Sequence, residues 1–99
     1  MKNYAKNPKI VARMAEGERY LIPLTETLEG LKKLFKLNPM GWFIWQELDQ
    51  SEDLEDLSRL IALEFDVSKE TASRDARKFL DDLVRIGALL TGEAKSDET

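Results

Sequence analysis

The side chains best placed to do chemistry in this chain are lysines set in an alternating apolar run. In Leu31-Lys32-Lys33-Leu34-Phe35-Lys36-Leu37, a strand puts Lys33, Phe35 and Leu37 on one face and Lys32, Leu34 and Lys36 on the other. Phe35 and Leu37 are expected to point into a core. The chemistry available to such a strand at the end of a sheet is capture, because its unpaired N–H and C=O groups accept another extended chain. Lys32, Lys33 and Lys36 fit two roles equally: keeping the edges of two copies apart, or steering an acidic partner. A second candidate surface lies on a helix whose core line is Ala72, Ala76, Phe79 and Leu83. One flank of that line carries Ser73, Arg77, Leu80 and Val84, and the other carries Asp75, Asp82 and Ile86. The first flank is the better suited to hold apolar side chains and pair an acidic one, although Leu80 also suits plain core packing.

Other chemistries are excluded by what is missing. The 99 residues include no Cys and no His, which removes zinc sites, thiol chemistry, haem ligation by His, catalytic triads and His acid/base catalysis. The carboxylates are spread over helix faces instead of being grouped against an apolar wall. No catalytic residue, metal centre or cofactor is therefore expected. A chain this short makes one domain that buries about 60–65% of its unfolded surface. The net charge is −4, with eight Lys/Arg against four Glu in residues 1–46 and seven basic against fifteen acidic residues thereafter. That balance argues against nucleic acid as a general partner. No apolar run approaches the roughly 18–20 residues that span a bilayer, and Met1 to Lys9 lacks the apolar segment of a signal peptide. The expected setting is cytoplasmic, without membrane contact.

The elements that position these residues follow from the pattern. Ile10–Met14 and Arg19–Ile22, around Glu16-Gly17-Glu18, predict a hairpin ending at or before Pro23. Thr25 to Gly30 carries the next turn, and Leu31–Leu37 makes a third strand. Asn38-Pro39 opens a helix with Gly41, Ile44, Trp45 and Leu48 inward, ending near Asp49-Gln50. Asp53 caps a second helix with Leu54, Leu57, Ile61 and Phe65 on one face. Ser68 caps a third after the short Asp66-Val67-Ser68 turn, and Gly87 stops it, with Leu89-Leu90 packing back. The fold class is α+β: a three-stranded antiparallel sheet followed by three helices, winged-helix-like but without a C-terminal wing. One domain spans residues 1–90, and residues 91–99 form a disordered tail. A helix-turn-helix DNA-binding regulator is the alternative, using Arg74, Arg77 and Lys78 in the major groove. Against it, Arg77–Asp81, Lys78–Asp82 and Asp81–Arg85 are four-apart opposite charges typical of a solvated helix face.

Leu37-Asn38-Pro39-Met40-Gly41-Trp42-Phe43-Ile44-Trp45-Gln46-Glu47-Leu48-Asp49 follows a basic strand and precedes two helices ending in Gly87-Ala88-Leu89-Leu90. This order resembles the PqqD family, the pyrroloquinoline-quinone biosynthesis D-like proteins, over roughly residues 7 to 90. The resemblance implies a non-catalytic chaperone that binds the leader of a ribosomally synthesised precursor peptide. It presents the peptide to a modifying enzyme, commonly a radical S-adenosylmethionine maturase. It also implies that the leader adds as a strand beside the third strand, in the groove against the third helix. The site residues are then Lys32, Lys33, Leu34, Phe35, Lys36 and Leu37 with Ser73, Arg77, Leu80 and Val84. The chain departs from the family in a longer Leu24–Lys33 connection, in Gln50 where Gly often ends the first helix, and in the adjacent aromatics Trp42 and Phe43. Phe43 is expected to be the exposed one, either marking a contact with a second copy in a homodimer or with the maturase, or standing as a single exposed apolar residue that needs no cause.

Overall fold

The structure, a computed structural model, describes residues 1–24 and 35–91. The expected Thr25–Gly30 turn, the Leu31–Leu34 part of the third strand and residues 92–99 lie outside the described residues. The fold is α+β, with elements in the order β1 (Tyr4–Lys6), β2 (Ile10–Ala15), β3 (Glu18–Pro23), β4 (Phe35–Leu37), α1 (Pro39–Glu47), α2 (Leu54–Phe65), α3 (Lys69–Arg85) and β5 (Leu89–Thr91). No helix among the described residues is long and apolar enough to cross a membrane.

β2 and β3 pair as a hairpin with Ala15 opposite Glu18. The two loop residues, Glu16 and Gly17, have φ of 53° and 81°, the left-handed backbone that a primed hairpin turn needs. β3 is the middle strand and β4 pairs antiparallel on its far side, with Leu21 opposite Phe35 and Arg19 opposite Leu37. Alternation puts Ile10, Leu21 and Leu37 on the inner face, each buried, and Lys36 on the outer. β3 runs to Pro23 itself, whose missing N–H costs little at a strand end.

The helices begin where side-chain acceptors meet free N–H groups. Asn38 Oδ1 accepts from the Gly41 N–H at 2.7 Å, with Pro39 in the first turn. Asp53 and Ser68 cap α2 and α3 through the N–H groups of Asp56 and Thr71, each cap contributing about 1 kcal/mol. α3 closes as a Schellman motif: Gly87, at φ 86°, donates to the Val84 carbonyl and Ala88 to that of Leu83. The core gathers Leu21 and Leu37 from the sheet, Ile44, Trp45 and Leu48 around α1, Leu57 and Ile61 from α2, and Ala72, Ala76, Leu80 and Leu83 from α3.

Several expectations need correcting. Tyr4–Lys6, a segment with no strand pattern of its own, pairs antiparallel with β5, and Thr91, expected to begin the tail, closes β5 opposite Tyr4. Asn7 fastens this pairing, its side chain donating to the Gly87 carbonyl at 2.8 Å. Leu90 does not pack back with Leu89: it is 46% exposed and Leu89 only 2%, since neighbours in a strand face opposite ways. Phe43, expected to be exposed, is half-buried, with its ring edge-on to Phe65 at 5.5 Å. Trp42 is half-buried as well, with the Arg19 guanidinium over its ring at 5.9 Å. The four-apart charges of α3 form no ion pairs among the described residues, and Asp82 instead meets Arg85 at 2.8 Å.

Candidate functional site

Among the described residues β4 pairs with β3 alone. Its other side therefore presents backbone donors and acceptors with no strand partner there. α3 faces β4 across a cavity of about 340 Å³. Most of the lining is apolar: Leu21, Phe35 and Leu37 come from the sheet, and Phe79, Leu83 and Ile86 from the end of α3. Lys36, Asp82 and Arg85 supply its charges. This is a concave apolar surface with a few polar groups, the usual character of a ligand site.

A second cavity, of about 230 Å³, continues along α3 towards the start of α1. Asn38, Met40 and Gly41 form one wall, and Asp75, Lys78, Phe79 and Asp82 the other. Phe79 and Asp82 border both cavities. The Phe79 ring comes so close to α1 that a Cβ on Gly41 would lie 3.1 Å from its Cζ and 3.2 Å from Asn38 Oδ1. Glycine at position 41 is thus what lets the ring sit against the helix start.

The charges along the groove are lightly held. Lys36 Nζ lies 3.5 Å from the Glu18 carboxylate, and Arg74 Nε lies 3.9 Å from Asp75. With the Asp82–Arg85 pair, these are solvent-exposed contacts worth about 0–1 kcal/mol each. Lys36 already has an acidic neighbour within its own chain, which weakens it as a lone anchor.

Of the residues singled out in the sequence, Phe35, Lys36 and Leu37 line the larger cavity. Lys32, Lys33 and Leu34 lie outside the described residues. Ser73, Arg77, Leu80 and Val84 line neither of these two cavities, and Leu80 is a core residue at 1% exposure. The buried stripe of α3 runs through Ala72, Ala76, Leu80 and Leu83, so Leu80 takes the core place expected for Phe79. That turns the helix enough to bring Asp75, Phe79, Asp82 and Ile86 to the groove instead. The apolar periodicity could not have found this, because Phe and Leu read alike in it.

No curated protein matches this chain. Among solved structures, TbiB1 in complex with the TbiA(beta) leader peptide aligns with a TM-score of 0.70 and 28% identity, over 90% of this chain and 94% of that one. A lasso peptide synthetase B1 complexed with the leader peptide aligns with a TM-score of 0.74 at 19% identity, over 89% of this chain and 98% of that one, a likeness of fold. The family described as coenzyme PQQ synthesis protein D, PqqD, matches residues 11–89, a span that takes in the hairpin, β4, all three helices and the groove between them. The chain belongs to the PqqD family.

Proposed function

We propose that this protein captures the leader of a ribosomally synthesised precursor peptide as a strand added along β4, and presents the peptide to a modifying enzyme, a radical S-adenosylmethionine maturase. Proteins of its family are non-catalytic peptide-binding domains. The observation that carries the reading is the meeting of two features in one place: the outer edge of β4, and the apolar cavity of about 340 Å³ between that strand and α3. Backbone bonds along the edge supply affinity, and alternate side chains of the added strand enter the cavity. The likeness to TbiB1, solved in complex with a leader peptide, supports a leader peptide as the ligand. Lys36, with Lys32 and Lys33, adds a positive field that speeds the approach of an acidic leader.

The test is a titration of the full chain with synthetic leader peptides, the TbiA(beta) leader first, followed by amide chemical shifts. Shifts centred on Phe35–Leu37 and on Phe79–Ile86 are expected. Shifts confined to β2, β3 or α2, with β4 silent, would refute the reading. The helix-turn-helix alternative gains nothing from the structure's charges, since Asp75, Asp81 and Asp82 are interleaved with Arg74, Arg77 and Lys78 on α3. Tight, steeply salt-dependent binding to duplex DNA would revive it.

A further inference from the structure

We propose that the groove has two chambers that read two side chains of the captured strand: an apolar one beside β4, and a basic one placed two residues earlier, beside the start of α1. The inference rests on the leader-capture reading and adds the chemistry of the residues selected.

Phe79 stands between the chambers, bordering both and seated against α1 by the absence of a Cβ at Gly41. The chamber beside β4 is walled mainly by Leu21, Phe35, Leu37, Leu83 and Ile86, and its charges are two cations, Lys36 and Arg85, against the one carboxylate of Asp82, a lining that takes an apolar side chain in preference to a Lys or Arg. The chamber beside α1 differs: Met40 and Phe79 give it apolar sides, and Asp75 and Asp82 set two carboxylates against the single ammonium of Lys78. The side chains of Asp75 and Asp82 are each 44% exposed, so they are partly shielded yet reachable. A Lys or Arg stem lying along Met40 and Phe79 brings its head to those carboxylates and to the ring face. Their present partners, Arg74 and Arg85, are 74% and 71% exposed and yield to an incoming cation at little cost.

Spacing and order follow from the elements. The α3 residues of the two chambers are centred between four and five positions apart, about 7 Å along a helix rising 1.5 Å per residue. Two residues of an extended strand cover about the same distance. β4 runs from Phe35 towards Asn38 and hence towards the α1 chamber. A strand added antiparallel to it meets the α1 chamber first, which places the basic residue on the N-terminal side of the apolar one.

The experiment is selection of a display library of random short peptides on the immobilised full chain. The expected enrichment is a Lys or Arg followed two residues later by a large apolar residue, and changing that basic residue to Glu in a selected peptide lowers affinity about tenfold. In the double variant Asp75→Asn, Asp82→Asn the preference for basic over acidic disappears while the apolar preference stays. Phe79→Ala loosens the two-residue spacing; because that variant opens the groove, the isosteric Asn pair is the decisive one. Enrichment of acidic residues at the first position, or apolar residues with no fixed spacing to a basic one, overturns the two-chamber inference and leaves leader capture standing. A selection that enriches no peptide overturns both.

Discussion

Gly41→Ala sets the preference of a helix against the packing of the groove. In an open helix interior, Ala in place of Gly contributes about 1 kcal/mol of stability, and position 41 is the third residue of α1, where that gain is at its smallest. The new Cβ would meet Phe79 Cζ at 3.1 Å, Phe79 Cε1 at 3.2 Å and Asn38 Oδ1 at 3.2 Å. Pushing the ring away costs about 1–3 kcal/mol, as overpacking does, and disturbing the Asn38 cap puts up to about 1 kcal/mol more at risk. The expected balance is a loss of about 1–2 kcal/mol, a fall on the order of 10 °C in melting temperature. Urea unfolding followed by the fluorescence of Trp42 and Trp45 measures it, both residues being on the same helix. Because Phe79 also divides the groove, the variant should lose selectivity for peptides along with stability. A Gly41→Ala protein more stable than the parent, with peptide preferences unchanged, would show that the ring gives way freely and that glycine is not there to seat it.

Three further outcomes follow from the same geometry. Trp45→Ala is expected to cost about 3–5 kcal/mol in chemical denaturation, as loss of a buried aromatic does, because Trp45 is 5% exposed; Trp42→Ala, at a half-buried site, should cost less. Truncation after Ala88 removes β5 and with it Leu89, at 2% exposure, and should lower stability by about 2–4 kcal/mol, whereas truncation after Thr91 should leave the thermal midpoint nearly unchanged. Ile86→Asp should abolish capture of the leader peptide in calorimetry while Arg77→Glu leaves it intact, and the reverse result would restore the flank of α3 that the groove excludes.

Local chemistry made most of the fold legible. The three helix starts follow from Asn38-Pro39, Asp53 and Ser68, each a short acceptor side chain beside free N–H groups. The hairpin follows from β-branched and aromatic residues on both sides of Gly17. β1 and β5 were not legible, and the reason is physical. A three-residue strand has too little length to show a period of two, and its pairing links residues more than eighty positions apart. What holds Tyr4–Lys6 in place is the return of the chain after α3 and the Asn7 bond to the Gly87 carbonyl, neither of which leaves a mark in the local pattern.

On its sheet side the cavity is lined by Phe35, Lys36 and Leu37, which the strand pattern singles out, and on its helix side by the flank of α3 opposite to the one the periodicity favours, a difference with a chemical consequence. From Ile86 through Phe79, Ala72, Leu83, Ala76 and Leu80 to Val84, the apolar residues of α3 cover an arc of about 160° at 100° per residue. An arc so wide fits a core line through Phe79 as well as one through Leu80. Packing decides between them: Ala72, Ala76, Leu80 and Leu83 are all buried to 1% exposure or less, which leaves Phe79 on the shoulder facing the sheet. The two shoulders carry opposite charges. A groove bordered by Arg77 would favour an acidic side chain on the captured strand, whereas one bordered by Asp75 and Asp82 favours a basic one. Moving the core line by a single residue on the helix thus inverts the charge that α3 presents to the cavity, while the edge of β4 is unaffected.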